Sequence, residues 1–370
     1  MPTRVLVIGA GIVGAAIADR LQGSGCPVTL FEAEIPGGGA TAAAMGHLVV
    51  LDDSPAQMAF CARGVALWRG EALPAPCERE ARGTLWVAGD AEEMNEAQAK
   101  AERYRRLGLA TELLDAAQLS RAEPALRPGL AGGLRVPGDQ VVYPVGAARF
   151  LLDRAQSRGA LLVRERVRVL EPGGLRTDSG RFQADAVILA AGLGITGLLP
   201  ELAITPRRGH LAITERAPGL VRHQLIELGY LKSAHGREPT SVAFNVQPRA
   251  TGQLLIGSSR EFAGLERGPN RELLGRMLRR ATGFLPHLGQ VNVVRAWTGF
   301  RPCGPGNLPV IGPWPGRPGL FVAGGHEGLG ITTALVTAEL LAHHLLGLPA
   351  AMDPEPFLPA PTLEPSHGQP

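Results

Sequence analysis

The sequence has 370 residues, of which 45% are hydrophobic and 19% charged, and its formal net charge is +3. A chain of this length can bury a large core and predicts two domains rather than one. The near balance of 37 basic and 34 acidic residues argues against the basic footprint of a nucleic-acid-binding protein, and no apolar run approaches the roughly 20 residues that span a bilayer.

The N-terminal segment predicts a βαβ unit. Val5–Ile8 is a short apolar run, residues 12–21 have helical spacing, and Val28–Phe31 is a second apolar run that ends before Glu32. Uninterrupted apolar strands are typical of a parallel sheet covered on both faces. Because the chain opens directly on a strand pattern, we expect no signal peptide.

The rest of the chain divides into helical and extended patterns. Helices are predicted over residues 54–69, 91–107, 144–158, 270–282 and 331–346. Strands are predicted over residues 82–87, 133–136, 140–143, 161–170, 181–189 and 320–323, with several antiparallel strands between 209 and 257. Residues 37–47 are so rich in glycine and alanine that we expect a flexible loop there.

The turn from the first strand into the first helix has the pattern Gly-x-Gly-x-x-Gly. Gly9 permits the tight turn, Gly11 lets the backbone approach a pyrophosphate, and Gly14 lets the helix pack closely on the strand. The phosphates are then expected at the N–H groups that begin the helix, those of Ile12 and Val13.

Glu32, at the end of the second strand, completes this fingerprint. Its carboxylate can accept hydrogen bonds from a ribose 2′-hydroxyl and would repel a 2′-phosphate, which disfavours NADP. A glycine-rich turn without a ligand is the alternative, but strand, helix and acidic residue all fall in register. The motif alone does not separate NAD from FAD.

Three further segments of small residues favour FAD over NAD. Residues 37–47 would let the chain pass close to a large flat ring and its phosphate arm, and the strand end Ala190-Ala191-Gly192 can approach the adenine half. Residues 324–330 precede a helix whose first N–H groups can stabilise the negative charge of a reduced flavin. An NAD-dependent dehydrogenase would leave this last segment without a role.

Nucleotide-binding signatures at both ends of the chain predict an α/β fold with a discontinuous, Rossmann-like FAD-binding domain and an inserted antiparallel-sheet α+β substrate domain. The FAD-binding domain is predicted to comprise residues 1–85, 145–205 and 300–346, and the substrate domain residues 86–144 and 206–299. Residues 347–370 are predicted to be a Pro-rich tail that is disordered or lies along the surface.

Together these motifs resemble the D-amino-acid oxidase superfamily of flavoproteins, which includes glycine oxidase and sarcosine oxidase. The resemblance covers roughly residues 5–347 and includes the segments at 206–210, 248–249, 255–257, 297–302 and 324–330. Residues 44–54 and 243–249 are most similar to the flavoprotein subunit of bacterial D-hydroxyproline dehydrogenase. The resemblance implies FAD extended across the Rossmann-like domain, with the substrate held over the flavin by the antiparallel sheet.

The motifs and the resemblance together predict the residues that contact FAD. They are Gly9, Gly11, Ile12, Val13, Gly14, Glu32, Ala40, Thr41, Met45, Gly46, Val167, Ala191, Gly192, Arg301, Gly325, His326, Gly328, Leu329, Gly330 and Ile331. No Cys/His cluster has the spacing of metal ligands, so no metal site is predicted. Sarcosine oxidase links its flavin through a cysteine that would align near Gly299 rather than Cys303, which favours non-covalent FAD.

Arg301 is the predicted anchor for a substrate carboxylate. It lies in the segment Trp-Thr-Gly-Phe-Arg-Pro at 297–302, and a guanidinium matches a carboxylate with two parallel hydrogen bonds. The resemblance to glycine oxidase implies this role for the arginine of the motif. The alternative is an ordinary surface arginine.

Tyr230 and His47 complete the predicted catalytic set. The phenol of Tyr230 could share the carboxylate with Arg301, although a half-buried strand tyrosine is the simpler interpretation. His47 could reach the catalytic face, whereas His326 is expected to brace its loop or contact the flavin. Position 245 and position 247 carry Asn and Gln in a strand where related oxidases have an aromatic residue, so that aromatic contact is not transferred.

The predicted reaction is oxidation of the Cα–N bond of a small amino or imino acid by hydride transfer to FAD, with cis-4-hydroxy-D-proline as the best candidate substrate. Neither Lys100 nor Lys232 lies in a flavin motif, which favours a dehydrogenase that passes electrons to a partner subunit, a quinone or a dye. Two alternatives remain: a glycine or sarcosine oxidase that produces hydrogen peroxide, and an FAD-binding subunit of a larger complex without activity of its own. Four widely spaced cysteines favour a cytoplasmic protein. A membrane-bound electron acceptor would instead hold the protein at the surface of the inner membrane.

Overall fold

The computed structural model describes residues 2–229, 240–266 and 268–360. Two sheets, of six and eight strands, organise these residues. The helices that pack on them are Ile12–Gly23, Gly39–Ala42, Pro55–Gly70, Ala91–Arg106, Ala116–Ala122, Pro144–Ser157, Ile195–Leu198, Arg271–Phe284 and Gly330–Leu346.

The six-stranded sheet holds both ends of the chain. In spatial order its strands are Val310–Pro313, Leu320–Gly324, Ala186–Leu189, Val5–Ile8, Val28–Phe31 and Leu161–Val163. The first pair is antiparallel and the others are parallel. Every residue of its two central strands is buried, as expected for a parallel sheet covered on both faces. The predicted α/β class and the first two strands are confirmed.

Three helices cover one face of this sheet. Helix Ile12–Gly23 contacts both Pro144–Ser157 and Gly330–Leu346, and the three share one hydrophobic core that includes Ile17 and Leu341. The first and last helices of this layer therefore bring the two glycine-rich ends of the chain together.

The eight-stranded sheet is the larger of the two sheets. In spatial order its strands are Val293–Cys303, Thr205–Arg216, Gln253–Glu261, Thr240–Pro248, Gln224–Glu227, Thr84–Ala88, Gly132–Val136 and Glu112–Asp115. The pair Gln224–Glu227 and Thr84–Ala88 is parallel and the others are antiparallel. Helix Arg271–Phe284 covers one face through Met277 and Ala281. On the opposite face, Leu211 packs against Met45.

Smaller elements complete the fold. Val169–Glu171, Gly174–Arg176 and Arg181–Gln183 form a three-stranded antiparallel sheet, and His47–Leu48 pairs with Gln140–Val141. Among the described residues, no helix combines the length and the hydrophobicity that crossing a membrane requires.

Three predicted segments differ from the structure. Residues 161–170 and 181–189, each expected as one strand, are both divided between the six-stranded and the three-stranded sheet. At residues 161–170 the alternation of apolar residues with Arg and Glu continues across the break, because the pairing partner rather than the alternation sets where a strand ends. Residues 37–47, expected as a flexible loop, contain the short helix Gly39–Ala42 and begin strand His47–Leu48.

Strand Val293–Cys303 extends beyond residue 299, the predicted end of the substrate domain. It pairs along its length with Thr205–Arg216, so the segment around residue 301 continues the eight-stranded sheet. In the predicted tail, Phe357 is 1% exposed and its ring centroid lies 4.5 Å from that of Phe60. The tail up to residue 360 therefore packs along the helical layer, and residues 361–370 lie outside the described part.

Candidate active site

The turn between strand Val5–Ile8 and helix Ile12–Gly23 is closed by glycine. Gly9 has a φ of 103°, and a Cβ on Gly14 would lie 1.8 Å from the carbonyl oxygen of Gly9. A side chain at either position would push the helix away from the strand. The helix begins after Gly11, which has no side chain of its own to cap it, so the N–H groups of the first turn need partners from elsewhere.

Two side chains hold the backbone of this turn. Glu32 accepts the N–H of Ala10 at 2.8 Å through Oε2 and the N–H of Glu34 at 2.8 Å through Oε1. A carboxylate has about four lone-pair sites, so two remain for ribose hydroxyls. From the following short helix, Thr41 accepts the N–H of Ile12 at 3.1 Å. Ala40, beside it, is exposed.

The strand end Ala190-Ala191-Gly192 lies directly against this turn. A Cβ on Gly9 would lie 2.5 Å from the carbonyl oxygen of Ala190 and 3.0 Å from Cα of Ala191. By contrast, a Cβ on Gly192 would meet no described atom within 4 Å. The chain therefore packs tightly on one side of the turn and leaves open space on the other. Val167 is 7% exposed and belongs to the core cluster that contains Phe31.

The C-terminal glycine-rich segment reaches the same place. A Cβ on Gly330 would lie 3.8 Å from Cγ2 of Val13, so the starts of the first and last helices are adjacent. Gly325 has a φ of 78° and approaches Gly304 closely. Ile331 is buried, and its carbonyl accepts the indole N–H of Trp68 at 2.9 Å.

His326 braces this segment against the last helix. Its Nε2 lies 2.9 Å from Oγ1 of Thr337, which donates its own proton to the carbonyl of Thr333 at 2.8 Å. Because the threonine proton is already engaged, His326 must be the donor, so Nε2 carries a hydrogen. Burial lowers the pKa of His326 to about 4, and the ring is therefore neutral at pH 7.

Residues 43–47 cross the face of the eight-stranded sheet that looks toward the six-stranded sheet. The carbonyl of Met45 accepts the amide N–H of Gln247 at 2.6 Å. Gly46 has a φ of 86° and leaves no room for a Cβ beside the carbonyl of Val142. These contacts hold His47 at the junction of the two sheets.

His47 and two amides present unpaired polar atoms at this junction. His47 Nε2, Asn245 Oδ1 and Gln247 Oε1 are buried and have no hydrogen-bond partner. Burial, reinforced by the positive charge of Arg249, lowers the pKa of His47 to about 4. Unpaired buried polar atoms are costly, and a cluster of them on one wall is typical of a ligand site.

Arg301 lies in strand Val293–Cys303 on the same face of the sheet. Its Nη1 donates to the carbonyl of Ser259 at 3.1 Å, and Gly209 is too small to obstruct it. Its Nε lies 3.9 Å from Oε1 of Glu327 and 3.5 Å from the position of a Cβ on Gly328. The guanidinium is thus fixed directly beside the C-terminal glycine-rich segment. Leu329 follows Gly328 in this segment.

Glu327 gathers two further arginines. Its Oε1 lies 3.8 Å from Nη1 of Arg207 and 3.9 Å from Nε of Arg260. Burial opposes ionisation of Glu327, but Arg260, Arg301 and Arg207 together hold its pKa below the usual value. Its backbone has a φ of 48°, a left-handed conformation that glycine adopts more easily.

The sequence did not assign a site role to Glu327, Arg207 or Arg260. Arg207 was noted within the motif at 206–210, but its neighbours are set by strand register: it lies opposite Arg301 in the antiparallel pair. Tyr230 lies outside the described residues. Within the described ranges, no group of three His, Cys, Asp or Glu residues could hold a metal ion.

These features fit a dinucleotide that carries a ring system. A helix start preceded by glycine, an acidic strand end and open space beside Gly192 meet at one edge of the six-stranded sheet. Arg301 approaches this edge from the eight-stranded sheet, since it lies beside Gly328, and Gly330 lies beside Val13. A model of the DAO family, described as FAD dependent oxidoreductase, matches residues 4–344.

The chain belongs to this family. The FAD-dependent oxidoreductase is 29% identical to a glycine oxidase from Pseudomonas aeruginosa, over 97% of this chain and 99% of that protein. It superimposes on the crystal structure of glycine oxidase from Geobacillus kaustophilus with a TM-score of 0.86 and 27% identity, covering 96% and 98% of the two chains. An iminodiacetate oxidase from Chelativorans sp. BNC1 gives a TM-score of 0.83 at 25% identity, covering 96% and 99%.

The family membership establishes FAD as the cofactor and confirms the expected flavoprotein class. It supports the oxidation of amino acids as the general activity. The finer similarity to D-hydroxyproline dehydrogenase is not reflected in these relatives and stays a prediction.

Proposed function

We propose that this oxidoreductase oxidises the Cα–N bond of a small amino or imino acid whose carboxylate binds Arg301. The observation that carries the proposal is the fixed guanidinium beside the C-terminal glycine-rich segment. With Nη1 on the carbonyl of Ser259 and Nε beside Glu327, Arg301 has further donors for a carboxylate. A pre-oriented guanidinium loses little freedom when it binds an acid group.

The proposed FAD contacts follow from the turn and the two glycine-rich segments. Thr41 already accepts the N–H of Ile12, so the N–H groups of Val13 and Gly14 are the ones suited to the pyrophosphate, and Glu32 is suited to a ribose. The start of helix Gly330–Leu346 is suited to the flavin ring, since its partial positive charge favours an anionic form. FAD, when bound, supplies the two-electron acceptor for the oxidation.

The protein contributes orientation rather than a strong acid or base. Arg301 fixes the carboxylate, which restricts the positions available to the α-carbon. The unpaired oxygens of Asn245 and Gln247 are suited to accept hydrogen bonds from an amine or a ring hydroxyl. His47 is neutral at pH 7 because its pKa is about 4, so it is proposed to line the pocket. A poorly solvated pocket favours the neutral amine, whose lone pair is needed as the Cα–H bond breaks.

The proposal also covers the identity of the substrate and of the electron acceptor. The resemblance noted above predicts cis-4-hydroxy-D-proline, and the oxygens of Asn245 and Gln247 are compatible with its hydroxyl. The buried Lys100 is paired with Asp52, which supports the proposal of a dehydrogenase with a partner acceptor, and Lys232 lies outside the described residues. Similarity to glycine oxidases over nearly the whole chain favours a second candidate, a peroxide-forming oxidase.

The test is to add each candidate substrate to the purified holoenzyme without oxygen and to measure flavin reduction as loss of the visible absorption. The panel comprises glycine, N-methylglycine, iminodiacetate, D- and L-amino acids and the hydroxyproline epimers. We expect Arg301→Ala to lower kcat/KM for the active substrate by roughly 100-fold, because a charge-assisted hydrogen-bond pair contributes about 3 kcal/mol. Arg216→Gln is the matched control, since Arg216 is exposed on the neighbouring strand.

Two outcomes would contradict the proposal. If no amine in the panel reduces the flavin, the chain is an FAD-binding subunit without independent activity. If Arg301→Ala turns over the active substrate as fast as Arg216→Gln does, Arg301 is not the anchor. Peroxide formation in air, compared with reduction of an artificial dye, separates the oxidase from the dehydrogenase.

A further inference from the structure

Arg207 has no part in the proposed function, yet it lies directly opposite Arg301. The two residues form a cross-strand pair between Thr205–Arg216 and Val293–Cys303. Side chains that are directly opposite in an antiparallel pair point to the same face, and like charges there destabilise the sheet. The pairing therefore needs a compensating anion.

The surroundings of Arg207 supply little compensation. Its Nε is buried and has no hydrogen-bond partner. Its side chain is 15% exposed, and the ring of Phe262 lies 5.0 Å from its guanidinium carbon. Burial and the charge of Arg260 lower the pKa of Arg207, which indicates that its positive charge is unfavourably surrounded.

Glu327 does not satisfy both guanidinium groups. Its Oε1 lies 3.8 Å from Arg207 and 3.9 Å from Arg301, beyond hydrogen-bond distance in each case, and that oxygen has no hydrogen-bond partner. Arg260 lies 3.9 Å from the same oxygen, and one carboxylate can neutralise only one of the three positive charges. The pair Arg207 and Arg301 therefore retains the capacity to bind further anionic groups at partly buried positions.

We propose that the preferred substrate carries a second carboxylate, which Arg207 binds while Arg301 binds the carboxylate next to the reacting carbon. This inference rests on the proposed binding of a carboxylate by Arg301. Within the class of small amino and imino acids it favours dicarboxylic acids over cis-4-hydroxy-D-proline and glycine, which carry one carboxylate each. Both guanidinium groups lie within 4 Å of one carboxylate oxygen, so acid groups separated by a few bonds can reach both. Arg207 is then a specificity-determining residue, and monocarboxylates are weaker ligands.

The test measures binding to the oxidised holoenzyme by calorimetry, with two acids that lack an amine and so cannot react. Succinate and butyrate have the same number of carbons and differ in one carboxylate. We expect succinate to bind about 10- to 100-fold more tightly, the value of a charge-assisted pair. Arg207→Gln should abolish this preference by weakening succinate far more than butyrate, Arg207→Lys should retain part of the preference, and Arg216→Gln should retain all of it.

The inference is overturned if succinate binds no better than butyrate, or if Arg207→Gln keeps the preference. It is also overturned if Arg207→Gln weakens both acids equally, since that would indicate a structural role through Glu327. These outcomes are distinct from failure of the proposed function. An enzyme that oxidises monocarboxylic amines without a preference for succinate refutes this inference alone, whereas a succinate preference without reduction by any amine refutes the proposed function.

Discussion

Replacing Gly14 with alanine tests how closely the first helix must approach the first strand. The new Cβ would lie 1.8 Å from the carbonyl oxygen of Gly9 and 3.0 Å from its carbonyl carbon. Both atoms belong to the backbone and cannot rotate away. The helix must therefore move by more than an ångström, and its N-terminal N–H groups move with it.

The expected magnitude follows from two opposing effects. Overpacking a well-packed site costs about 1–3 kcal/mol, and the higher helix propensity of alanine returns about 1 kcal/mol. We expect the apoprotein to lose up to about 2 kcal/mol of unfolding free energy. FAD affinity should fall by at least about 10- to 100-fold, because one or more charge-assisted hydrogen bonds to phosphate would be lost.

Gly283→Ala is the matched control for this substitution. Gly283 lies in helix Arg271–Phe284, and a Cβ there would meet no described atom within 4 Å. This variant should gain up to about 1 kcal/mol and bind FAD normally. Stability is measured by urea unfolding of the apoprotein, and affinity by quenching of FAD fluorescence. If Gly14→Ala matched Gly283→Ala in both measurements, the steric argument would be wrong.

Two further predictions concern buried ionisable groups. The pKa of His47 is about 4 in the folded protein and near 6.5 in the unfolded chain. As the pH falls from 6.5 to 4, only the unfolded state binds the proton, so the free energy of unfolding decreases over this range. His47→Gln should therefore lose about 2 kcal/mol less unfolding free energy between pH 7 and pH 5, and equal losses in urea unfolding would contradict this. Lys100 is fully buried, pairs with Asp52 and lies 4.2 Å from the centre of the Trp86 ring. Arg103 would remain paired with Asp52, so Lys100→Met should cost about 1–3 kcal/mol. The double variant with Asp52→Asn should recover part of that loss, and an equal loss in both variants would refute the coupling.

The elements predicted best from the sequence are those determined by residues close to each other in the chain. Strand Val5–Ile8 and helix Ile12–Gly23 are specified by an apolar run and by glycines whose steric need is local. The helix that starts after Asn270 is fixed by a cap, since Asn270 accepts the N–H of Leu273 at 3.1 Å. The prediction of one strand over residues 161–170 was wrong because the two strands there have different partners. No local sequence pattern specifies the strand with which a segment will pair.

The same distinction separates the predicted and the missed parts of the candidate site. Arg301 was identified from a motif contained within a few residues, and the structure adds that its Nη1 is fixed by Ser259. Arg207 acquires its significance from strand register, which sets it opposite Arg301, and Glu327 from a turn that brings one carboxylate toward both. A local motif can thus point to the group that we propose to bind the carboxylate common to all amino acids. The groups proposed to distinguish one amino acid from another come together from distant segments of the chain, so their role has to be inferred from the geometry.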